Sequence, residues 1–273
     1  MTMADLTHSV QRTAVSTPKE AVPHPAVLPL VLLHGWGVNH AIWQPLLARL
    51  PADLPVVCLD LPGFGLAHNC PEPYELDAVI EQLAAQITTP VVVAGWSLGG
   101  LVGVALAQRY PECIQGLALI ASSPCFMAQS DWPGMQLSVL QQFSSALQGD
   151  WRVTVDRFLA IQAMGSPAAK QDIKQIRQLV LALPDPALAA LVGGLTLLAE
   201  QDLRTVLQQL TIPVAAALGR LDALVPIAIT PLLRQLRPDI QIQVFEQSSH
   251  APFISQPDDF AQWLVQWHHR CQQ

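Results

Sequence analysis

The sequence predicts an α/β fold. A mostly parallel central sheet carries helices on both faces, and a helical segment is inserted between two of its strands. Three observations predict it. Short apolar runs alternate with segments of helical period, as in a parallel sheet buried on both sides. One run, Val91–Ala94, leads through Gly95-Trp96-Ser97-Leu98-Gly99 directly into the helical run Leu101–Tyr110. Between Ala121 and about Leu203 the strand pattern lapses, and it resumes at Ile212.

Composition permits such a fold. In 273 residues, 51% are hydrophobic and only 13% charged, enough apolar material for one large domain or a core with an insertion and too much for a disordered chain. A formal charge of −7 gives no reason to expect nucleic acid. No apolar run reaches the 18 residues of a membrane span. Residues 1–27 are mainly polar and lack the basic start and apolar stretch of a secretory signal, so a flexible tail is expected. The five cysteines, Cys58, Cys70, Cys113, Cys125 and Cys271, are scattered and odd in number, which suits free thiols in the cytoplasm better than disulfides or zinc.

Taken in order, Leu28–Leu33 is the first buried strand and Ala41–Leu50 a short helix. Val56–Leu61 is the next strand, ending in Pro62-Gly63-Phe64-Gly65, with Cys58 read as a small core residue. Leu76–Ile87 reads as a helix, with apolar residues at Leu76, Val79, Ile80, Leu83 and Ile87. Val91–Ala94 and Leu117–Ala121 follow as strands. The runs Val139–Leu147, Trp151–Met164, Ala169–Leu183 and Ala187–Leu198 read as helices separated by Pro and Gly. Strands Ile212–Leu218 and Ile240–Phe245 close the sheet. The expected organisation is a core of 28–121 and 204–273, with 122–203 as a helical lid.

The glycine-flanked serine carries the chemistry. A strand, a tight turn with Ser97 at its apex and a helix form the nucleophile elbow of an α/β-hydrolase fold, and the flanking positions are small because the turn is strained. The amides of Ser97 and Leu98 fall at a helix N-terminus, where negative charge is stabilised. In such folds the acid and then the histidine follow the serine in sequence. His250, His268 and His269 are the possible bases. His250 lies in a loop just beyond a strand, where these sheets place chemistry, whereas His268 and His269 sit near the end of a terminal amphipathic helix and read as solvent-exposed. Asp222 follows the preceding strand and is placed to orient an imidazole; Asp202 and Glu246 compete, and Asp222 could instead cap a helix. A second oxyanion donor is expected after the first strand, in His34-Gly35-Trp36-Gly37, pairing the Trp36 amide with that of Leu98. His34 reads as loop packing. Such donors are often worth ~3 kcal/mol each. No metal-ligand spacing or dinucleotide fingerprint is present, and no cofactor is expected.

These stretches resemble the pimeloyl-acyl-carrier-protein methyl ester esterases of biotin synthesis. The resemblance runs from about residue 28 to the C-terminus through Leu32-Leu33-His34-Gly35-Trp36-Gly37, Leu59-Asp60-Leu61-Pro62-Gly63-Phe64-Gly65 and Gly95-Trp96-Ser97-Leu98-Gly99-Gly100. It continues through Leu221-Asp222 and His250-Ala251-Pro252-Phe253-Ile254-Ser255, and more particular to that family are Ser122-Ser123-Pro124-Cys125-Phe126, Asp131-Trp132-Pro133-Gly134 and Arg157-Phe158-Leu159-Ala160. The resemblance implies a serine carboxylesterase that removes the methyl group from a pimeloyl chain on acyl carrier protein. Ser97, His250 and Asp222 would be its triad, Trp36 and Leu98 its oxyanion donors, and Trp96 and Phe158, with Trp36, its acyl-channel lining. It also implies carrier contacts at Arg157, Lys170 and Lys174. Arg152 lies one residue from another such position, held here by Val153. Lysine keeps the charge but loses bidentate geometry. The span 150–177 has five basic residues against Asp150, Asp156 and Asp172, a locally positive stretch suited to an acidic partner or else a solvated helix face. A monomer is expected. A general short-chain carboxylesterase or a carbon–carbon bond hydrolase would use the same triad, and a ligand-binding receptor would need the triad only as a relic.

Overall fold

Four consecutive aliphatic residues, Leu30–Leu33, form β1 with every side chain buried, as a strand covered on both faces requires. In the computed structural model, which describes residues 27–147, 149–162 and 169–273, β1 lies second in a six-stranded sheet. The others are β2 (Val56–Leu59), β3 (Val91–Trp96), β4 (Ile114–Ile120), β5 (Val214–Gly219) and β6 (Gln241–Phe245), in the order β2-β1-β3-β4-β5-β6 with every adjacent pair parallel. The chain runs outward from β1 to β2, then returns past β1 to β3 and builds in the other direction. The order reverses between β1 and β3, and open sheets of this kind hold ligands beyond the strand ends at such a point.

Burial follows strand position. All residues of β1, β3 and β5 are buried, whereas the edge strands β2 and β6 alternate. This corrects one expectation: Val57 is 44% exposed and Cys58 only half-buried, because β2 pairs on one side alone. The expected helix Ala41–Leu50 is instead a 3-10 turn, His40–Trp43, followed by the short α1 (Gln44–Leu47). Asn39 starts the turn by accepting the Ala41 amide at 3.2 Å, and Pro45 occupies the first turn of α1.

Helix α2 (Leu76–Ala84) packs Val79, Ile80 and Leu83 inward, and α3 (Leu98–Arg109) runs back along β3 and β4. After β4 the chain leaves the sheet for α4 (Leu137–Leu147), α5 (Trp151–Gln162), α6 (Ala169–Val180) and α7 (Leu188–Glu200). A further helix, α8 (Arg204–Gln209), precedes β5; six residues are too few to show a period in sequence. Then come α9 (Thr230–Leu236), α10 (Pro252–Ser255) and α11 (Pro257–Arg270). Among the described residues no helix is long and apolar enough to cross a membrane. The expected flexible tail lies outside the described residues, apart from Val27.

Candidate active site

Ser97 joins β3 to α3 at φ 53° and ψ −118°, a conformation costing non-glycine residues about 1–3 kcal/mol. The turn closes so tightly that a Cβ on Gly95 would lie 2.3 Å from the Gly99 carbonyl oxygen, and one on Gly99 would lie 2.5 Å from that of His34. Hydrogen bonds hold the strain in place. The Ser97 amide donates to the Ile120 carbonyl at 2.9 Å, continuing the ladder with β4. The Ser97 carbonyl accepts the buried Ser122 hydroxyl at 2.7 Å. The Ser97 amide is thus spent in the sheet, and of the two amides expected at the anion position only that of Leu98, the first residue of α3, is left. No described residue accepts the Leu98 or the Trp36 amide. The side chains of Trp36 and Leu98 meet at α7, where a Cβ on Gly194 would lie 2.7 Å from Trp36 Cδ1 and 3.2 Å from Leu98 Cδ2.

His250 lies in the loop after β6 and is wholly buried. Its Nδ1 donates to Asp222 Oδ2 at 2.8 Å. Asp222 follows β5, and its second oxygen accepts the amides of Leu224 and Val225 at 2.8 and 3.0 Å. One carboxylate oxygen orders the following turn while the other bonds the imidazole; the next helical turn, Ile227–Ile229, is capped at Pro226, so Asp222 is not its cap. His250 Nε2 is buried with no hydrogen-bond partner among the described residues. Such an atom is costly unless something arrives to use it. The Trp96 indole donates to the His250 carbonyl at 2.7 Å, which ties the histidine loop to the residue preceding Ser97.

The competing residues are engaged elsewhere. Asp202 pairs with Arg204 and Glu246 with Arg220. His268 overturns its expected exposure. It is wholly buried, its Nε2 donates to the Leu28 carbonyl at 2.7 Å, and its Nδ1 accepts from Gln272 at 3.0 Å. Leu28 precedes β1, so His268 serves the opposite end of that strand from the His34–Gly37 loop. Burial lowers its pKa, in keeping with a neutral ring. His269 is exposed.

Above the serine the helices form an aromatic wall. Phe158 packs edge-on against Trp36 with centroids 4.8 Å apart and against Phe143 at 5.2 Å, and the Trp36 indole donates to the Leu191 carbonyl of α7 at 2.8 Å. Phe143 was not legible in advance because its partners come from other helices. Ser97 is 1% exposed and His250 0%, so a substrate must displace part of this cover. A cavity of about 280 Å³ lies beside it, between Gly37–Asn39 and the side chains of Val155, Leu159 and Val180. Arg157, Lys170 and Lys174 are exposed on α5 and α6. Arg152 stacks on Trp151 with its guanidinium carbon 4.7 Å from the ring centroid and pairs with Asp185, which offsets its charge. Among the described residues no group of three or more His, Cys, Asp or Glu could hold a metal.

The profile of the Alpha/beta hydrolase family matches residues 30–263. A pimeloyl-[acyl-carrier protein] methyl ester esterase of Aeromonas hydrophila is 48% identical over 232 residues, covering 85% of this chain and 91% of its own length. One of the same name from Aliivibrio salmonicida is 46% identical over 231 residues, covering 85% and 88%. Among solved structures, a thermophilic esterase from Thermogutta terrifontis superposes with a TM-score of 0.77 at 22% identity, covering 92% of each chain, a likeness of fold. The chain belongs to the alpha/beta hydrolase family, and within it to the group whose curated members are named pimeloyl-[acyl-carrier protein] methyl ester esterase.

Proposed function

We propose that the protein is a serine carboxylesterase that hydrolyses the methyl ester of a pimeloyl chain carried on acyl carrier protein, releasing methanol. The observation that carries the chemistry is the buried Nε2 of His250, without a partner among the described residues, whose Nδ1 is held by Asp222 and whose loop is tied to the Ser97 elbow. The relatives' shared name carries the substrate.

In this reading His250 Nε2 takes the Ser97 hydroxyl proton as Oγ attacks the ester carbonyl. Asp222 stabilises the resulting imidazolium. The amides of Trp36 and Leu98 hold the oxyanion in a site that excludes water. His250 returns the proton to the departing methoxide, and methanol leaves. Water, deprotonated by His250, then cleaves the acyl-enzyme to a carboxylate and restores Ser97. Trp36, Trp96 and Phe158 line the acyl path, and the helices of 122–203 act as its lid. Arg157, Lys170 and Lys174 receive the acidic carrier, with Arg152 partly neutralised by Asp185. All five cysteines are free, in keeping with work in the cytoplasm.

The test compares kcat/KM on pimeloyl-carrier methyl ester with that on a series of free p-nitrophenyl esters. A preference of at least about a hundredfold for the carrier-bound ester is expected. Equal or better use of short free esters would make the protein a general short-chain carboxylesterase on the same residues.

A further inference from the structure

His34 ends the buried path of β1 and is wholly shielded from solvent. Its two ring nitrogens have different partners, and these partners fix its tautomer. The Leu61 amide donates to Nε2 at 3.0 Å. An amide can only donate, so Nε2 carries its lone pair. Nδ1 lies 2.7 Å from the Gly35 carbonyl oxygen, which can only accept, so Nδ1 carries the proton. Burial lowers the pKa of His34 and keeps the ring neutral despite the Asp60 carboxylate 3.5 Å from Nε2. That carboxylate is engaged elsewhere. It accepts the His40 amide and pairs with His40 Nδ1, both at 2.6 Å, and accepts the Leu66 amide at 2.8 Å.

The Gly35 carbonyl and the Trp36 amide are the two ends of one planar peptide unit and point in opposite directions. A hydrogen bond that fixes the carbonyl end therefore fixes the direction of the N–H. Gly35 has no side chain to supply that fixation, and a Cβ there would sit tightly against the Trp96 ring at 3.1 Å and Ser97 Cβ at 3.2 Å. The preceding ring supplies it instead. We infer that His34 is a positioning residue of the oxyanion hole: its Nδ1–H holds the Gly35 carbonyl so that the Trp36 N–H faces the charge that develops on the substrate oxygen. The inference rests on the proposed role of the Trp36 amide.

Two substitutions separate this role from simple packing. In His34→Asn the side-chain NH₂ falls where Nδ1 was, keeping the donor to Gly35 and losing the acceptor for Leu61. In His34→Gln the side-chain oxygen falls where Nε2 was, keeping the acceptor for Leu61 and losing the donor to Gly35. The probe is a p-nitrophenyl ester, with an alkyl boronic acid as a tetrahedral mimic bound through Ser97. His34→Gln is expected to lower kcat by about 10–100-fold with KM within about twofold, and to weaken the boronate by a similar factor, since only the transition state uses the donor. His34→Asn should stay within about fivefold of wild type on both readouts.

Equal losses in the two variants, or a larger loss in His34→Asn, would overturn the inference and leave the Leu61 bond as the reason for the histidine. Should the Gln variant not fold, nitrogen NMR of wild-type His34 decides: a proton on Nδ1 across pH 5–9 supports the inference, and one on Nε2 overturns it. The underlying reading fails separately, if the wild type cleaves no ester or Ser97→Ala retains activity. The His34 inference alone fails if Ser97→Ala is inactive and His34→Gln keeps its kcat.

Discussion

The sheet and the helical layer above it hold their residues by different means. In β1, β3 and β5 every side chain is buried and the backbone is paired on both sides, so the loops at the strand ends have little freedom. Ser97, the His34–Gly37 loop and Asp222 follow such strands, and His250, which follows the edge strand β6, is tied to them through Asp222 and the Trp96 indole. Helices α4–α7 lie over them through side-chain packing and a few directional bonds. Two of those bonds reach the sheet-end loops directly, from Trp36 to Leu191 and from Asn39 to Val180. Others stay within the layer, as between Arg177 and Asp156. The difference separates two tasks. Proton transfer and oxyanion binding need sub-ångström constancy, which a parallel sheet provides. Admitting and covering a long acyl chain needs a layer that can shift, because Ser97 and His250 are both sealed in this arrangement.

The comparison breaks if residues of the sheet ends can be altered cheaply. Asp222→Asn should lower kcat on any ester by on the order of 10⁴-fold with the fold intact, since Asn can no longer hold His250 in the required tautomer. Steady-state kinetics beside a thermal melt would check it, and a loss below about tenfold would remove Asp222 from the chemistry. A smaller and selective effect is expected from the layer. Arg157→Glu with Lys174→Glu should reduce kcat/KM for the carrier-bound ester by about tenfold at low salt, and by much less at high salt. A stopped-flow salt series would show this. A salt-independent loss would mean that the charges act on folding and not on the carrier.

The link between the two regions is weaker still. Trp36→Phe removes the indole bond to Leu191 and should cost about 1 kcal/mol of stability and a few-fold in kcat, measured by denaturant unfolding and kinetics. An unchanged unfolding midpoint would mean that α7 is held by packing alone. The smallest effect is in pH. The hydrogen bond that His40 donates to Asp60 raises the pKa of His40. A raised folded-state value stabilises fully below the unfolded value near 6.5 and is lost as pH rises through the folded one. The stability difference between wild type and His40→Ala should therefore be larger at pH 5.5 than at pH 8.5. A difference that grew with pH would contradict the assignment.

Much of this arrangement is legible in the sequence, for identifiable reasons. The elbow shows itself because strain and close approach demand small residues in a fixed pattern around Ser97. Asp222 and His250 show themselves because they follow apolar strands in a fixed order. Strand order is not a local property, so nothing in Val56–Leu59 announces an edge. The burial of His268 depends on Leu28, 240 residues away in the chain, and the end of an amphipathic helix reads equally well as exposed. In sequence His34 reads as loop packing, because its two bonds, one to Leu61 across the sheet end and one to its own neighbour, leave no pattern in the chain. Asp60 and His40 form a pair that no spacing rule connects.

The most direct test of the division between chemistry in the sheet and substrate capture in the layer is a single-turnover measurement. Wild type and Ser97→Ala would be mixed in excess with pimeloyl-carrier methyl ester, following methanol release and carrier binding together. The account predicts stoichiometric methanol from the wild type, none from Ser97→Ala, and a carrier affinity for the variant within about threefold of wild type. Methanol release by Ser97→Ala, or loss of carrier binding in a folded variant, would contradict it.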